Sequence, residues 1–232
     1  MSVTTQWIDI KTDDGTFGAY LAIPHTGKGP GIVLLQEIFG VNAHIRSVAE
    51  QYAADGYVVL APDIFWRQEP RVELAYDEAG WKRAVELMQA MDMSKALADI
   101  ALTAKTLRAR PEVEGKIAAI GYCMGGRLSY NAVANGDVDT AIAYYGGGIQ
   151  NQLDRADEIK VPFLMHFGGN DSHIPADAVK SIAERFENNT NVEIHVYPGA
   201  EHGFNCSHRE SYNQRAAAQA HGNSLIFLSE NL

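Results

Sequence analysis

The order of apolar runs in this chain predicts an α/β fold built on a mostly parallel sheet with an antiparallel hairpin at its N-terminus. Three observations carry that prediction. Runs such as Gly31-Ile32-Val33-Leu34-Leu35, Tyr57-Val58-Val59-Leu60-Ala61 and Ala141-Ile142-Ala143-Tyr144-Tyr145 are almost continuously apolar, as strands buried on both faces require. The stretches between them place apolar residues at helical spacing, and a β, α, β alternation is the mark of parallel pairing. Gly121-Tyr122-Cys123-Met124-Gly125-Gly126 then stands between an apolar run and a helical one. That is the strand-to-helix elbow G-x-nucleophile-x-G, in which glycines keep neighbouring chain away from an exposed central side chain.

Taken in order, Trp7-Ile8-Asp9-Ile10 and Gly18 to Ile23 flank the turn signal Asp13-Asp14-Gly15, so the chain opens on a hairpin. The Gly31 to Leu35 strand ends in Gln36-Glu37-Ile38-Phe39-Gly40, and Ile45, Val48, Ala49 and Tyr52 share one face of the following helix. Residues 64–93 carry Trp66, Tyr76, Trp81 and several Met without a strand signal. They read as a helical excursion over the mouth of the sheet, with a surface helix anchored by a tryptophan preferred to a direct substrate role. Leu97, Ile100, Ala101, Ala104 and Leu107 mark the next helix, closed by Pro111. After the elbow, a helix opens by Leu128, and further strands follow at Ala141 to Tyr145, Val161 to Phe167 and Val192 to Tyr197, with a final helix ending near Leu228. No repeat or linker interrupts this order, so residues 1–232 are expected to form one domain.

Bulk composition narrows the function. Nineteen Lys+Arg against 29 Asp+Glu give a net charge of −10, which argues against nucleic acid and against anionic membranes as partners. No membrane span or signal peptide is legible, so a cytoplasmic location and a monomer acting on a small molecule are expected. Two cysteines, Cys123 and Cys206, are too few for a disulfide framework.

Glu37, Cys123, Asp171 and His202 each follow the end of a predicted strand, where open parallel sheets bind ligands. Nucleophile, then Asp, then His is the chain order of an α/β-hydrolase. Cys123 replaces the more usual serine, and a free thiol has a pKa of about 8.5, so a base must help it ionise. His202 would take the thiol proton and later give it to the leaving group, while Asp171 would orient the ring. Met124 and Ile38 are the expected backbone donors of the oxyanion hole. Residue reasoning alone assigns Glu37 a surface arginine as partner, because a second anion would oppose a thiolate. His166, His173, His195, His208 and His221 show no metal-ligand spacing, and neither a metal nor a cofactor is expected.

At these residues the chain resembles the dienelactone hydrolase, or carboxymethylenebutenolidase, family. The match rests on Gln36-Glu37-Ile38-Phe39-Gly40-Val41-Asn42, Ala61-Pro62-Asp63, the 121–126 elbow, Tyr144-Tyr145-Gly146, Gly168-Gly169-Asn170-Asp171 and His202-Gly203-Phe204, all in family order. The resemblance implies an α/β-hydrolase fold, a mostly parallel central sheet with helices on both faces, and a Cys123, His202, Asp171 triad. It also implies that an enol-lactone is opened through an acyl-thioester, and that Glu37 accepts the resting thiol's proton when substrate enters. Trp81, Arg83, Tyr145, Phe39, Gly203 and Phe204 are the expected substrate-lining residues. Two arginines that clamp the substrate carboxylate in the family are not matched in place: Trp81 and Cys206 stand there, with Arg83 and Arg209 nearby. Alternatives are a hydrolase for a non-carboxylate ester or lactone, an idle binding protein with the same fold, and a thiol-redox protein pairing Cys123 with Cys206.

Overall fold

Residues 2–232 are described by a computed structural model. The chain falls into two compact units, Met1–Ile117 and Ala118–Leu232.

In the first unit, β1 (Thr4–Thr12) and β2 (Gly15–Ile23) form the expected antiparallel hairpin, Thr12 opposite Gly15. The Thr12 hydroxyl donates to Asp14 at 2.8 Å and braces the turn. β3 (Gly29–Leu35) and β4 (Val58–Pro62) pair in parallel, and β2 closes on β4 antiparallel. β4 is buried throughout, which is why it reads as an unbroken apolar run rather than an alternating one. Helix α1 (Ala43–Ala54) begins where Asn42 Oδ1 accepts from the Ile45 amide at 3.2 Å, a side-chain N-cap. α2 (Glu78–Ala90) and α3 (Met93–Arg108) start on Asp77 and Asp92 in the same way. Arg67 ties this unit together: it pairs with Asp14 at the hairpin turn and with buried Asp99 on α3, which also accepts from Trp66 Nε1 at 2.8 Å. The tryptophan anchored in the 64–93 excursion is therefore Trp66, while Trp81 on α2 is 42% exposed.

Strand β5 (Val113–Tyr122) carries the chain into the second unit. There β5, β6 (Thr140–Tyr144), β7 (Phe163–Gly168) and β8 (Val192–Tyr197) pair successively in parallel. α4 (Met124–Asn135) starts four residues earlier than Leu128, directly after Cys123. Its glycines belong to the first turn because neighbouring backbone leaves no room: a Cβ on Gly126 would lie 2.8 Å from both Gly146 Cα and the Tyr144 carbonyl oxygen. Gly136, at φ 77°, ends the helix in the left-handed conformation that glycine adopts without strain. α5 (Ala176–Phe186) and α6 (Gln214–Asn231) complete the unit. Parallel strands with a hairpin at the N-terminus are the arrangement read from the sequence. Among the described residues no helix is long and apolar enough to cross a membrane.

Candidate active site

Cys123 occupies the turn between β5 and α4 with φ 55° and ψ −114°, a backbone conformation that non-glycine residues rarely adopt. The turn is pinned on both sides. The Cys123 amide donates to the Tyr144 carbonyl at 3.0 Å, and the Cys123 carbonyl accepts from Gly126 at 3.0 Å. Gly121 is required beneath it, since a Cβ there would sit 1.9 Å from the Gly125 carbonyl oxygen. The strained elbow thus holds a partly exposed sulfur at the carboxyl end of β5. Met124 is the first residue of α4, where backbone amides have no carbonyl partner within the helix.

Asp171 lies in the loop after β7 and is buried. Its Oδ1 accepts from the His173 and Ile174 amides at 2.8 and 3.0 Å, which leaves Oδ2 for the ring of His202, 2.8 Å from Nδ1. His202 follows β8, is buried, and hydrogen-bonds Cys123 as well as Asp171. Burial alone would discourage charge on this imidazole. The sulfur of Cys123 and the Asp171 carboxylate outweigh burial and raise it to about 10. For Asp171 burial acts upward, but the bonds from His202 and from the two amides more than offset it, and the carboxyl lies below its ordinary value. An acid, an imidazole and a thiol in one hydrogen-bonded chain can move a proton off the sulfur and keep it at hand for a leaving group.

Tyr145 borders this chain. Its backbone is left-handed at φ 37°, and its ring meets His202 edge-on at 5.1 Å and Phe204 at 5.2 Å. Phe204 is fully buried. Gly203 has φ 78°, and the Arg209 guanidinium lies over it, so that a Cβ there would be 2.5 Å from Nη1. His173, half exposed, sets its ring 4.7 Å from that of His202.

The first unit holds the other predicted residues. Glu37, after β3, is fully buried, so a surface ion pair is not its setting; it accepts from the Tyr76 hydroxyl at 2.8 Å. Tyr76 in turn accepts from Asn42 Nδ2 at 3.2 Å. Ile38 and Phe39 are buried in the same turn, with the Phe39 ring 4.5 Å from Tyr76 and 6.2 Å from Trp81. Arg83 on α2 is engaged by Glu69 and Glu86 at the surface. Sequence reasoning missed Tyr76 and His173. The only available signal for Tyr76 was an aromatic with a hydroxyl inside an otherwise unassigned excursion, and for His173 its place two residues after Asp171.

The sequence model of the dienelactone hydrolase family matches residues 17–232. The chain belongs to the dienelactone hydrolase family. A carboxymethylenebutenolidase of Pseudomonas putida is 38% identical over 227 residues, covering 97% of this chain and 96% of that one. Another, from Cupriavidus pinatubonensis, is 33% identical over 216 residues, covering 93% and 92%. Among solved structures, a candidate dienelactone hydrolase from Klebsiella pneumoniae is 28% identical with a TM-score of 0.87 over 99% of both chains. The dienelactone hydrolase of Anabaena variabilis, at 14% identity and a TM-score of 0.74 over both full lengths, shares the fold. This member of the family is accordingly an ester or lactone hydrolase with the α/β-hydrolase fold.

Proposed function

We propose that this hydrolase opens an enol-lactone of the dienelactone type, or cleaves an activated ester, with Cys123 as nucleophile. The observation that carries the reading is the hydrogen-bonded chain from the buried Asp171 carboxylate through the buried His202 ring to the partly exposed Cys123 sulfur. In the first half-reaction the thiolate attacks the carbonyl carbon, the enol oxygen leaves with the proton held by His202, and an acyl-thioester remains. In the second, His202 draws a proton from water, hydroxide adds to the thioester, and the thiolate is expelled as the acid forms. Met124 and Ile38 supply the backbone donors for the tetrahedral oxyanion; Glu37 receives the resting thiol's proton when substrate enters, and His202 carries that proton on to the leaving oxygen.

The relatives named carboxymethylenebutenolidase favour a lactone that carries a carboxylate. Arg83 pairs with Glu69 and Glu86 at the surface, whereas the Arg209 guanidinium lies over Gly203, the residue after His202, and is the cation we assign to that group. Phe39, Trp81 and Gly203 line the substrate, while Tyr145 and Phe204, both fully buried, stand behind the His202 ring rather than against the substrate. The test is a panel of lactones and aryl esters with and without a carboxylate, assayed on wild type and Cys123→Ser, with mass spectrometry of the protein quenched during turnover. Expected are a covalent acyl adduct on Cys123 and a fall in kcat/KM of at least about 10²-fold in the variant. A serine variant that keeps most of its esterase activity sinks the proposal. Loss of the preference for carboxylate substrates in Arg209→Gln, with neutral esters unaffected, supports the named substrate class.

A further inference from the structure

We propose that Asp171, His173 and His202 form a zinc-binding site whose occupation switches the hydrolase off. One carboxylate oxygen and two imidazole nitrogens lie within 4.8 Å of one another here. Two imidazoles and a carboxylate with a fourth position open to water are a recurring zinc ligand set. The triad needs Asp171 and His202, but it does not need the imidazole of His173. The backbone amide of residue 173 is what braces Asp171, at 2.8 Å, and any amino acid except proline would provide it. The side chain adds a second nitrogen donor, 3.9 Å from Asp171 Oδ1, on a ring half exposed to solvent.

Asp171 is fixed by two amides and His202 by Asp171, while the half-exposed ring of His173, on the loop between β7 and α5, needs only a side-chain rotation to set its nitrogen at the roughly 2.0–2.2 Å from a zinc ion that coordination demands. Coordination through Nδ1 of His202 replaces the proton that bridges it to Asp171, and that proton passes to solvent. The imidazole is then held by metal on the side that orients it and cannot cycle a proton to and from the sulfur. No sequence signature announces the site, because its third ligand comes from the next strand's loop.

The experiment titrates zinc chloride into the full-length protein by calorimetry, for wild type, His173→Ala and, as a control at an exposed histidine outside any such cluster, His25→Ala. It is paired with aryl-ester hydrolysis in zinc and after EDTA. One zinc per chain, a loss of affinity of at least about tenfold in His173→Ala alone, and EDTA-reversible inhibition of wild type are expected. Whatever its turnover in metal-free buffer, His173→Ala should run at the same rate in zinc as in EDTA. No binding to wild type, undiminished binding to His173→Ala, or binding without inhibition overturns the proposal. Should His173→Ala fail to fold, cobalt substitution of wild type decides. Weak d–d bands of a nitrogen and oxygen site support it, and intense thiolate charge-transfer bands refute it by putting a cysteine, Cys123 or Cys206, among the ligands. Turnover measured in EDTA tests the hydrolase reading separately, so either can fail alone.

Discussion

Asp171→Asn isolates the role of one charge without removing the atoms that hold the loop. Asparagine keeps an oxygen to accept from the His173 and Ile174 amides, so the backbone stays braced. Its amide nitrogen then faces His202 Nδ1 across what was a 2.8 Å charge-assisted bond. Two consequences follow. A buried hydrogen bond to a charged group contributes about 1.5–3 kcal/mol, which is roughly 10- to 150-fold in rate. The amide also forces Nδ1 to accept, which puts the proton on Nε2 and leaves the ring unable to take one from sulfur; the equivalent change in a serine triad costs about 10⁴-fold. Together these set an expected fall in kcat/KM of roughly 10² to 10⁴ on an aryl ester. The protonation of His202 changes in the same direction. Its raised value of about 10 means the imidazolium stabilises the fold fully below the unfolded value of 6.5 and ceases to do so as pH rises through about 10. Removing the carboxylate narrows that window from the alkaline side, which imidazole NMR and unfolding curves at pH 6.5 and 10 both read. A variant that folds as wild type does and loses less than about fivefold in kcat/KM refutes the reasoning.

Further outcomes are expected from other parts of the molecule. Asp63, buried and raised to about 6, binds its proton more tightly folded than unfolded; its protonated form favours the fold below the unfolded value of 3.8, and that advantage disappears as pH climbs through 6. The difference in unfolding free energy between wild type and Asp63→Asn should therefore change by up to about 3 kcal/mol between pH 3.5 and 7.5, and a flat difference contradicts the burial argument. Gly126→Ala pushes a methyl to 2.8 Å from the Gly146 backbone, so a loss of about 1–3 kcal/mol is expected in urea denaturation, with activity reduced because the elbow must shift. Ser224→Ala removes the hydroxyl that meets Nε2 of fully buried His166 at 3.0 Å and the Tyr144 hydroxyl at 2.7 Å, for a cost of about 1–3 kcal/mol in stability.

Legibility in the sequence followed the range of the interactions. The strands were readable because burial on both faces writes a continuous apolar run, as at Val58 to Pro62. Cys123, Asp171 and His202 were readable because parallel strands deliver their following loops to one edge, so chain order stands in for position. The start of α4 was not: two glycines look like a helix breaker until the crowding against Gly146 is known. The setting of Glu37 was not either, since its partner Tyr76 lies 39 residues away in a segment without periodicity, and hydrogen bonds of that span leave no local pattern. His173 was visible as a residue but not as a neighbour of His202, for the same reason.

A row of rings beneath the candidate site explains how three separate loops reach a common height. Tyr122, Tyr144, His166 and His195 stand opposite one another on β5, β6, β7 and β8. Their rings follow at 4.6, 4.5 and 5.8 Å. Cys123 is the residue after the first of these, and Tyr145 the residue after the second. The ladder continues one step beyond the row, through the Cys123 amide to Tyr144 at 3.0 Å and the Tyr145 amide to His166 at 2.7 Å. A slip of one residue in any of these parallel pairings would turn the row to the other face and carry the sulfur with it. Burial pushes His166 well below its ordinary value, so it stays neutral and can bridge the Tyr197 and Ser224 hydroxyls, locking the row to β8 and α6. The strain stored at Cys123 and Tyr145 is thus held by a buried polar network one residue below, rather than by the exposed loops around the sulfur.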